Sequence, residues 1–409
     1  FWLKLLAYFV LHSRMLDIRV ASHYQIIEKI GAGSFGQIYL AKHVGNGDAV
    51  AVKIESISAK ATQLRHEAKI YKIIQGGTGV PKIRWFGIEC DFNAMVMELL
   101  GPSLEDCFKF CNRKLSVKTV LMLAEQLISR IEYMHTKGVI HRDIKPDNFA
   151  MGVGRNRNLV YVIDPGLAKR YKDPVSGQHI PYREGVDFTG TARYASIGSL
   201  LGQEQSCRDD LEAIGYMLMY FNRGSLPWQG CRLKNQKANQ QRVLEMKQAW
   251  PVKDLCKHFP EEFALFFDYN RGLRFEQRPN YGQQRKMFSE LFKRRGYSND
   301  NVWDWTIYEA YEKENIPREE WFKEPKKKTS RAPSKERNGE TFGRRGSHTC
   351  RPSRQASKER HARFRRASMD SSCRSQTPES PSQLKFGPRR SSRVRSSLRR
   401  SSTWKSVEA

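Results

Sequence analysis

His141-Arg142-Asp143-Ile144-Lys145-Pro146-Asp147-Asn148 is the stretch on which the reading of this 409-residue chain turns, together with Asp164, which lies sixteen residues beyond Asn148 at the end of the apolar run Leu159–Ile163. Phosphoryl transfer needs one carboxylate to position the attacking hydroxyl and accept its proton, and oxygen ligands for a divalent cation that bridges the phosphates. Asp143 suits the first role, and Asn148 and Asp164 suit the second, with Mg²⁺ as the expected ion. Lys145 can neutralise charge on the transferred group and points to serine or threonine acceptors rather than tyrosine.

Upstream, Gly31-Ala32-Gly33-Ser34-Phe35-Gly36 spells GxGxxG, with side-chain-free positions that let backbone N–H groups approach a polyphosphate. A dinucleotide-binding loop of the same spelling runs from a strand into a helix. Here a second β-like run, Gln37–Lys42, follows instead, so the expectation is a hairpin folded over ATP. Val50-Ala51-Val52-Lys53 places a lysine on the next strand, and Glu67 lies fourteen residues later on the expected helix Ala61–Ile74. A lysine among apolar neighbours can simply snorkel outward. With Glu67 to hold it, its ammonium reaches the α- and β-phosphates.

Further β-like runs, Ala49–Ile54, Ile83–Ile88 and Ala94–Leu99, fill the chain up to about Leu100. From Leu104 the apolar period turns helical, with Val117–Thr136 and Asp209–Asn222 the longest amphipathic candidates. The expected fold is therefore α+β and bilobal, with a small β-rich lobe carrying one main helix ahead of a larger helical lobe. No internal repeat appears, and no run reaches the length needed to cross a bilayer.

Four more strings narrow the reading: Leu99-Leu100-Gly101-Pro102-Ser103-Leu104-Glu105-Asp106, His179-Ile180-Pro181-Tyr182-Arg183-Glu184, Thr189-Gly190-Thr191-Ala192-Arg193-Tyr194-Ala195-Ser196 and Gly224-Ser225-Leu226-Pro227-Trp228-Gln229-Gly230. Together with the motifs above they resemble the casein kinase I family of serine/threonine protein kinases, from about Asp17 to Thr306 without an obvious gap. The resemblance implies a kinase that uses ATP and Mg²⁺ on acidic or phosphorylated protein substrates. It implies a nucleotide site lined by Ile30, Gly31, Gly33, Ser34, Gly36, Ile38, Ala51, Lys53, Glu67 and Asp164. Met97 would be the gatekeeper, with Glu98 to Leu100 as the hinge against adenine, and Asp210 would brace the catalytic loop. Arg193, with Gly230 beside it, would read phosphate or acidic residues ahead of the target serine.

Two departures from that family bear on function, and a third carries no assigned role. The metal aspartate stands in Asp164-Pro165-Gly166 where kinases have Asp-Phe-Gly. Proline disfavours the α region for the residue before it, so Asp164 is expected to be pushed towards extended geometry and the metal site loosened. In the basic pocket, Val186 and Asn239 occupy the positions of two family lysines, Asp187 adds a negative charge, and Lys234 or Lys237 are the available substitutes. Preference for phosphorylated over merely acidic substrates is therefore expected to be weaker than the family implies. Finally, Ser196-Ile197-Gly198 stands in place of Ser-Ile-Asn.

Charge is unevenly spread. Glu324–Ala409 holds 24 Lys and Arg against 7 Asp and Glu, so 17 of the 28 net positive charges lie in the last 86 residues. That serine- and arginine-rich stretch lacks the apolar area to offset ordering entropy and reads as disordered. Arg-Arg-x-Ser at Ser347 and Ser368, Arg-Arg-Ser at Ser391 and Ser401, Thr377-Pro378 and Ser380-Pro381 read as sites for basophilic and proline-directed kinases, whose phosphates would draw the tail onto Arg193. The tail could neutralise nucleic-acid phosphates, but with only Phe342, Phe364, Phe386 and Trp404 for stacking, nucleic acid is not expected as the main partner.

The organisation expected is a leader over 1–14, with Met15 as the native start; a kinase domain over 15–310; a helical extension over 311–323; and the tail over 324–409. Within the domain, the N-lobe covers about 24–97, the hinge 98–101 and the C-lobe 102–310. The eight scattered cysteines, with no CxxC pair, fit a reducing compartment, hence cytoplasm and nucleus, and a monomer is expected. The competing reading is a kinase-fold scaffold whose catalysis Pro165 impairs.

Overall fold

The computed structural model describes residues 18–33, 36–59, 62–230 and 235–317; the expected leader, Ser34 of the glycine loop, Lys234 and the tail lie outside them, as do residues 318–323 of the helical extension. Strand-forming residues from Arg19 to Glu98 build one antiparallel sheet: β1 (Arg19–Val20), β2 (Tyr24–Gly33), β3 (Gly36–His43), β4 (Ala49–Ser56), β5 (Ile83–Glu89) and β6 (Phe92–Glu98), in the order β1-β2-β3-β4-β6-β5. Side chains alternate across a strand, so β4 sends Val50 and Val52 to one face, where they join Ile26, Ala41, Ala94 and Val96 in a cluster of their own. Its other face sends Ala51 into the main core, next to Lys53.

Helix α1 (Leu64–Ile74) begins three residues later than its apolar period implies. Its start is fixed from elsewhere: the Glu55 carboxylate accepts the N–H groups of Gln63 (2.7 Å) and Leu64 (3.2 Å), satisfying donors that the first turn leaves unpaired. This reach from the end of β4 ties the helix that carries Glu67 to the strand that carries Lys53.

The larger lobe is helical. It contains α2 (Leu104–Phe110), α3 (Val117–Thr136), α4 (Ile197–Leu200), α5 (Cys207–Arg223), α6 (Gln236–Ala249), α7 (Val252–Leu255), α8 (Glu262–Arg271), α9 (Tyr281–Arg294) and α10 (Asp304–Lys313). Two short pairings interrupt the helices on the side of the cleft: β7 (Val139–Ile140) with β10 (Lys169–Arg170), and β8 (Phe149–Met151) with β9 (Val160–Val162). The α+β bilobal expectation stands. Helix α3 has the bounds its period indicates, with Ser116 accepting the Thr119 N–H at 3.2 Å as its cap. Helix α5 starts earlier than expected, because Asp209 reaches back to the Ser206 N–H at 2.8 Å and caps the turn it belongs to. Among the described residues no helix is long and apolar enough to cross a membrane.

The start of the last described helix is packed against the lobe. Trp303 is 1% exposed, stacks on Trp305 with ring centroids 5.0 Å apart and donates to Asn158 Oδ1 at 3.3 Å. Asp304 accepts from both the N–H and the hydroxyl of Ser116, at 2.6 and 2.8 Å, locking α10 against the start of α3. Trp303→Ala should therefore lower the stability of the chain by about 3–5 kcal/mol, the usual loss for a buried tryptophan. Chemical denaturation measures this, and a loss under about 1 kcal/mol would show that the C-terminal helix is not part of the cooperative unit.

Candidate active site

Residues directly opposite in an antiparallel pair share a face. Ala51 stands opposite Met97, Lys53 stands opposite both Ile38 and Met95, and Gly31 stands opposite Ile38. The sheet therefore gathers Ile38, Ala51, Lys53 and Met97 on its cleft side. Ile30 is 48% exposed, and Gly33 pairs with Gly36 at the end of the hairpin. Gly36 has no room for a side chain, since a Cβ there would lie 2.5 Å from the Ile54 carbonyl oxygen. Behind the cleft, the Glu98 carboxylate accepts from the Tyr161 hydroxyl (3.1 Å) and the Lys82 N–H (3.2 Å), and Asn156 holds Tyr161 in turn at 2.9 Å. Leu100 is half-buried, and the next residue, Gly101, donates its N–H to Met151 O at 2.8 Å.

Lys53 Nζ donates to Glu67 Oε2 at 2.6 Å and to Asp164 Oδ1 at 2.9 Å, so one cation faces two carboxylates in a buried space. Burial would lower the lysine's pKa, but Glu67 and Asp164 override it and raise it. Burial likewise works against ionised Asp164, yet Lys53 holds it below the usual carboxylate range. The surplus negative charge falls on Glu67, the more deeply buried carboxylate, and desolvation pushes it up to about 7.

The expected extended geometry of Asp164 is not found. Its backbone is left-handed, φ 54° and ψ 57°, and Pro165 opens a 3₁₀ turn over Pro165–Leu167. The fixed φ of proline suits the first position of such a turn, where its missing N–H is no loss. Aspartate is among the few side chains that tolerate the left-handed region. Tertiary contacts hold it there: the Asp164 N–H donates to the Tyr71 hydroxyl at 3.2 Å, and Lys53 holds the carboxylate.

Across the cleft, three donors converge on Asp143, itself only 6% exposed. Lys145 Nζ reaches Oδ2 at 2.7 Å, Asn148 Nδ2 reaches Oδ2 at 3.1 Å and the backbone carbonyl at 2.8 Å, and the Thr191 hydroxyl reaches Oδ1 at 2.7 Å. The loop is held from below by buried Asp210, which accepts the N–H groups of His141 and Arg142 at 2.7 and 2.9 Å. Thr191 can approach because Gly190 precedes it: at φ +113°, with a Cβ position only 2.4 Å from Arg142 O, no other residue fits there. Downstream of Asp164, Lys169 and Arg183 both close on buried Glu204, at 2.7 and 2.8 Å, so a carboxylate of the chain itself orders this segment.

Arg193 lies further along the same wall. Its guanidinium carbon is 5.7 Å from the Tyr194 ring centre and 5.9 Å from that of Tyr220, and its carbonyl accepts from Trp228 Nε1 at 2.7 Å. That bond brings the loop carrying Gly230 to Arg193, and Gly230, at φ +87°, faces open space. Val186 and Asn239 are half-buried, whereas Asp187 and Lys237 are exposed. Thr191 and Tyr71 are the contacts that sequence reasoning missed, since a hydroxyl's reach depends on tertiary placement. Gly190 was the only local signal for Thr191.

Among the described residues no three His, Cys, Asp or Glu side chains are grouped to hold a metal by themselves. Asn148 and Asp164 offer oxygen ligands, and Asn148 spends its amide nitrogen, not its oxygen, on Asp143. Two protein oxygens fit a hard cation that takes its remaining ligands from phosphates and water. Residues 24–287, which span the site from the β2–β3 hairpin to Asn239, match the family model described as a protein kinase domain.

The Glu67 carboxyl should titrate near 7 in the ligand-free protein. Being raised above its unfolded value, it contributes stability that is present at acid pH and lost as pH rises through about 7. Carbon-13 NMR of the side chain reads this directly. Asp164→Asn, by removing the second anion and leaving Lys53 to Glu67 alone, should move the titration to lower pH; an unmoved midpoint would mean the three groups do not share charge.

Proposed function

The chain belongs to the protein kinase domain family, and from that premise we propose that it is a serine/threonine kinase of the casein kinase I type, acting on acidic or phosphorylated protein segments. The family implies ATP, a divalent cation and protein substrates. The observation that carries the finer reading is the convergence of Lys145, Asn148 and Thr191 on Asp143.

In this reading Asp143 orients the acceptor hydroxyl and takes its proton as the oxygen attacks the terminal phosphorus, with ADP leaving. Lys145, already 2.7 Å from that carboxylate, meets charge on the group in transit. Lys53, fixed by Glu67, holds the phosphates that stay behind. Asn148 and Asp164 would hold Mg²⁺, which would supply positive charge against the phosphate oxygens. The cleft-side residues Ile38, Ala51 and Met97, with the backbone from Glu98 to Leu100, receive the adenine. Arg193 is the cation available to an acidic or phosphorylated group of the substrate. With Val186 and Asn239 in place of lysines, fewer charge-assisted contacts support that recognition.

Asp143→Asn should reduce transfer of radiolabelled phosphate to acidic serine peptides on the order of 10² or more, the scale of a lost general base. Replacing the acceptor serine by tyrosine should abolish labelling of the same peptide by the unaltered enzyme. Near-full turnover by Asp143→Asn removes its assigned role, and equal labelling of the tyrosine peptide removes the serine/threonine reading.

The scaffold reading rests on Pro165, and the inward Asp164 supports activity instead. Pro165→Phe should therefore change kcat, and the Mg²⁺ concentration giving half-maximal rate, by less than about threefold. A rise in kcat of tenfold or more, equivalent to about 1.4 kcal/mol of barrier, would restore the view that the proline loosens the metal site.

A further inference from the structure

Lys247, on α6, is 2% exposed and yet carries an ammonium group. That group lies 3.9 Å from the centre of the Tyr216 ring and 5.0 Å from that of Trp228, and its hydrogen bond goes to the carbonyl oxygen of Ala195 at 2.5 Å. The charged groups facing it are accounted for. Glu212, on α5, is engaged by Arg271 of α8 at 3.0 Å and by the Tyr216 hydroxyl at 2.9 Å, and Arg271 also donates to that hydroxyl at 2.7 Å. No carboxylate pairs with Lys247 among the described residues. An unpaired buried cation is costly, and a methionine would fill the same space without that cost. What methionine lacks is the donor to Ala195.

Two residues before Ala195, the Arg193 carbonyl is held in the same manner by Trp228 Nε1 at 2.7 Å. The cage of Tyr216, Trp228 and Lys247 thus pins two carbonyls of one short segment. That segment begins at Thr191, bonded to Asp143, and Ala195 and Asp143 line the same small cavity.

We propose that Lys247 is a positioning residue for the phosphate-accepting protein: from its aromatic cage it fixes the Ala195 carbonyl and so sets the Thr191–Ala195 segment, with Arg193, against Asp143. It is not among the residues assigned above to ATP or Mg²⁺. It acts on where the acceptor is held, and the inference rests on the kinase reading above. Burial lowers the pKa of Lys247 well below that of a free lysine, with Glu212 opposing and Arg271 adding to the shift. Its charge, and with it the attraction to both rings, is then lost on the alkaline side at a pH where exposed lysines keep theirs.

The test compares wild type, Lys247→Met and Trp228→Phe in the full chain, on a serine peptide without titrating groups near neutrality. ATP hydrolysis without peptide is followed in parallel. Lys247→Met should lower peptide kcat/KM by about tenfold or more, mainly through peptide KM, the scale of a small misplacement at a reacting centre. The KM for ATP and the peptide-free hydrolysis should stay within about twofold. Trp228→Phe should move the same parameter in the same direction. In wild type, peptide KM should rise on the alkaline side while the KM for ATP stays flat, and Lys247→Met should abolish that rise. Peptide kcat/KM within twofold of wild type in Lys247→Met, or equal losses with and without peptide, overturns the proposal. If that variant does not fold, an unchanged peptide KM in Trp228→Phe or a flat wild-type profile does so. Failure of the kinase reading looks different, because wild type itself then shows no Asp143-dependent transfer.

Discussion

Asp210 sits 2% exposed in the middle of the helical lobe and accepts hydrogen bonds from three directions. The backbone N–H groups of His141 and Arg142 and the ring of His135 all end on its two oxygens, at 2.7, 2.9 and 2.9 Å. Arg142 is held at φ 68°, a conformation a non-glycine residue adopts only when its surroundings impose it. Once that peptide is turned, Asp143 faces the cleft, Asn148 can fold back on it, and Arg142 Nε is free to hold the Leu167 carbonyl at 2.8 Å. The placement of Asp164 and of the segment beyond it follows from the same anchor. A buried carboxylate with that many donors is far costlier to lose than to form, because each orphaned N–H would stay dry.

Much of this was legible from the chain alone. The alternation of Val50-Ala51-Val52-Lys53 names which face the lysine takes, and the long apolar period of Val117–Thr136 needs no tertiary help. Local rules fail where a distant group decides. Nothing near Leu64 announces that Glu55 will cap its helix, and nothing near Asp164 announces Tyr71. Proline's bias on its predecessor is correct as a rule, but it is weaker than an ion pair, a backbone hydrogen bond and an aspartate's tolerance for the left-handed region combined. Lys247 was invisible for the opposite reason: in sequence it is one basic residue among many, and only burial makes it unusual.

Charge is handled differently on the two sides of the cleft. Around Lys53 two carboxylates compete for one cation, leaving a surplus of negative charge before any nucleotide arrives. Around Glu204 two cations share one carboxylate, so the segment after Asp164 is drawn together without an added phosphate. The first arrangement suits a site that must still accept a cation; the second suits a wall that must keep its shape.

In the proposed function, where the backbone from Glu98 to Leu100 receives adenine, Glu98 has a bearing on nucleotide affinity. Its carboxylate is tied back to Tyr161 and to the Lys82 N–H, with Asn156 behind Tyr161, so the chain linking the lobes is already ordered when it meets a ligand. The entropy of fixing that backbone is charged to folding instead of to binding, and an incoming base keeps more of the free energy of its contacts. The same tether makes the crossing point stiff, so any rotation of one lobe against the other would fall in the turns that flank it.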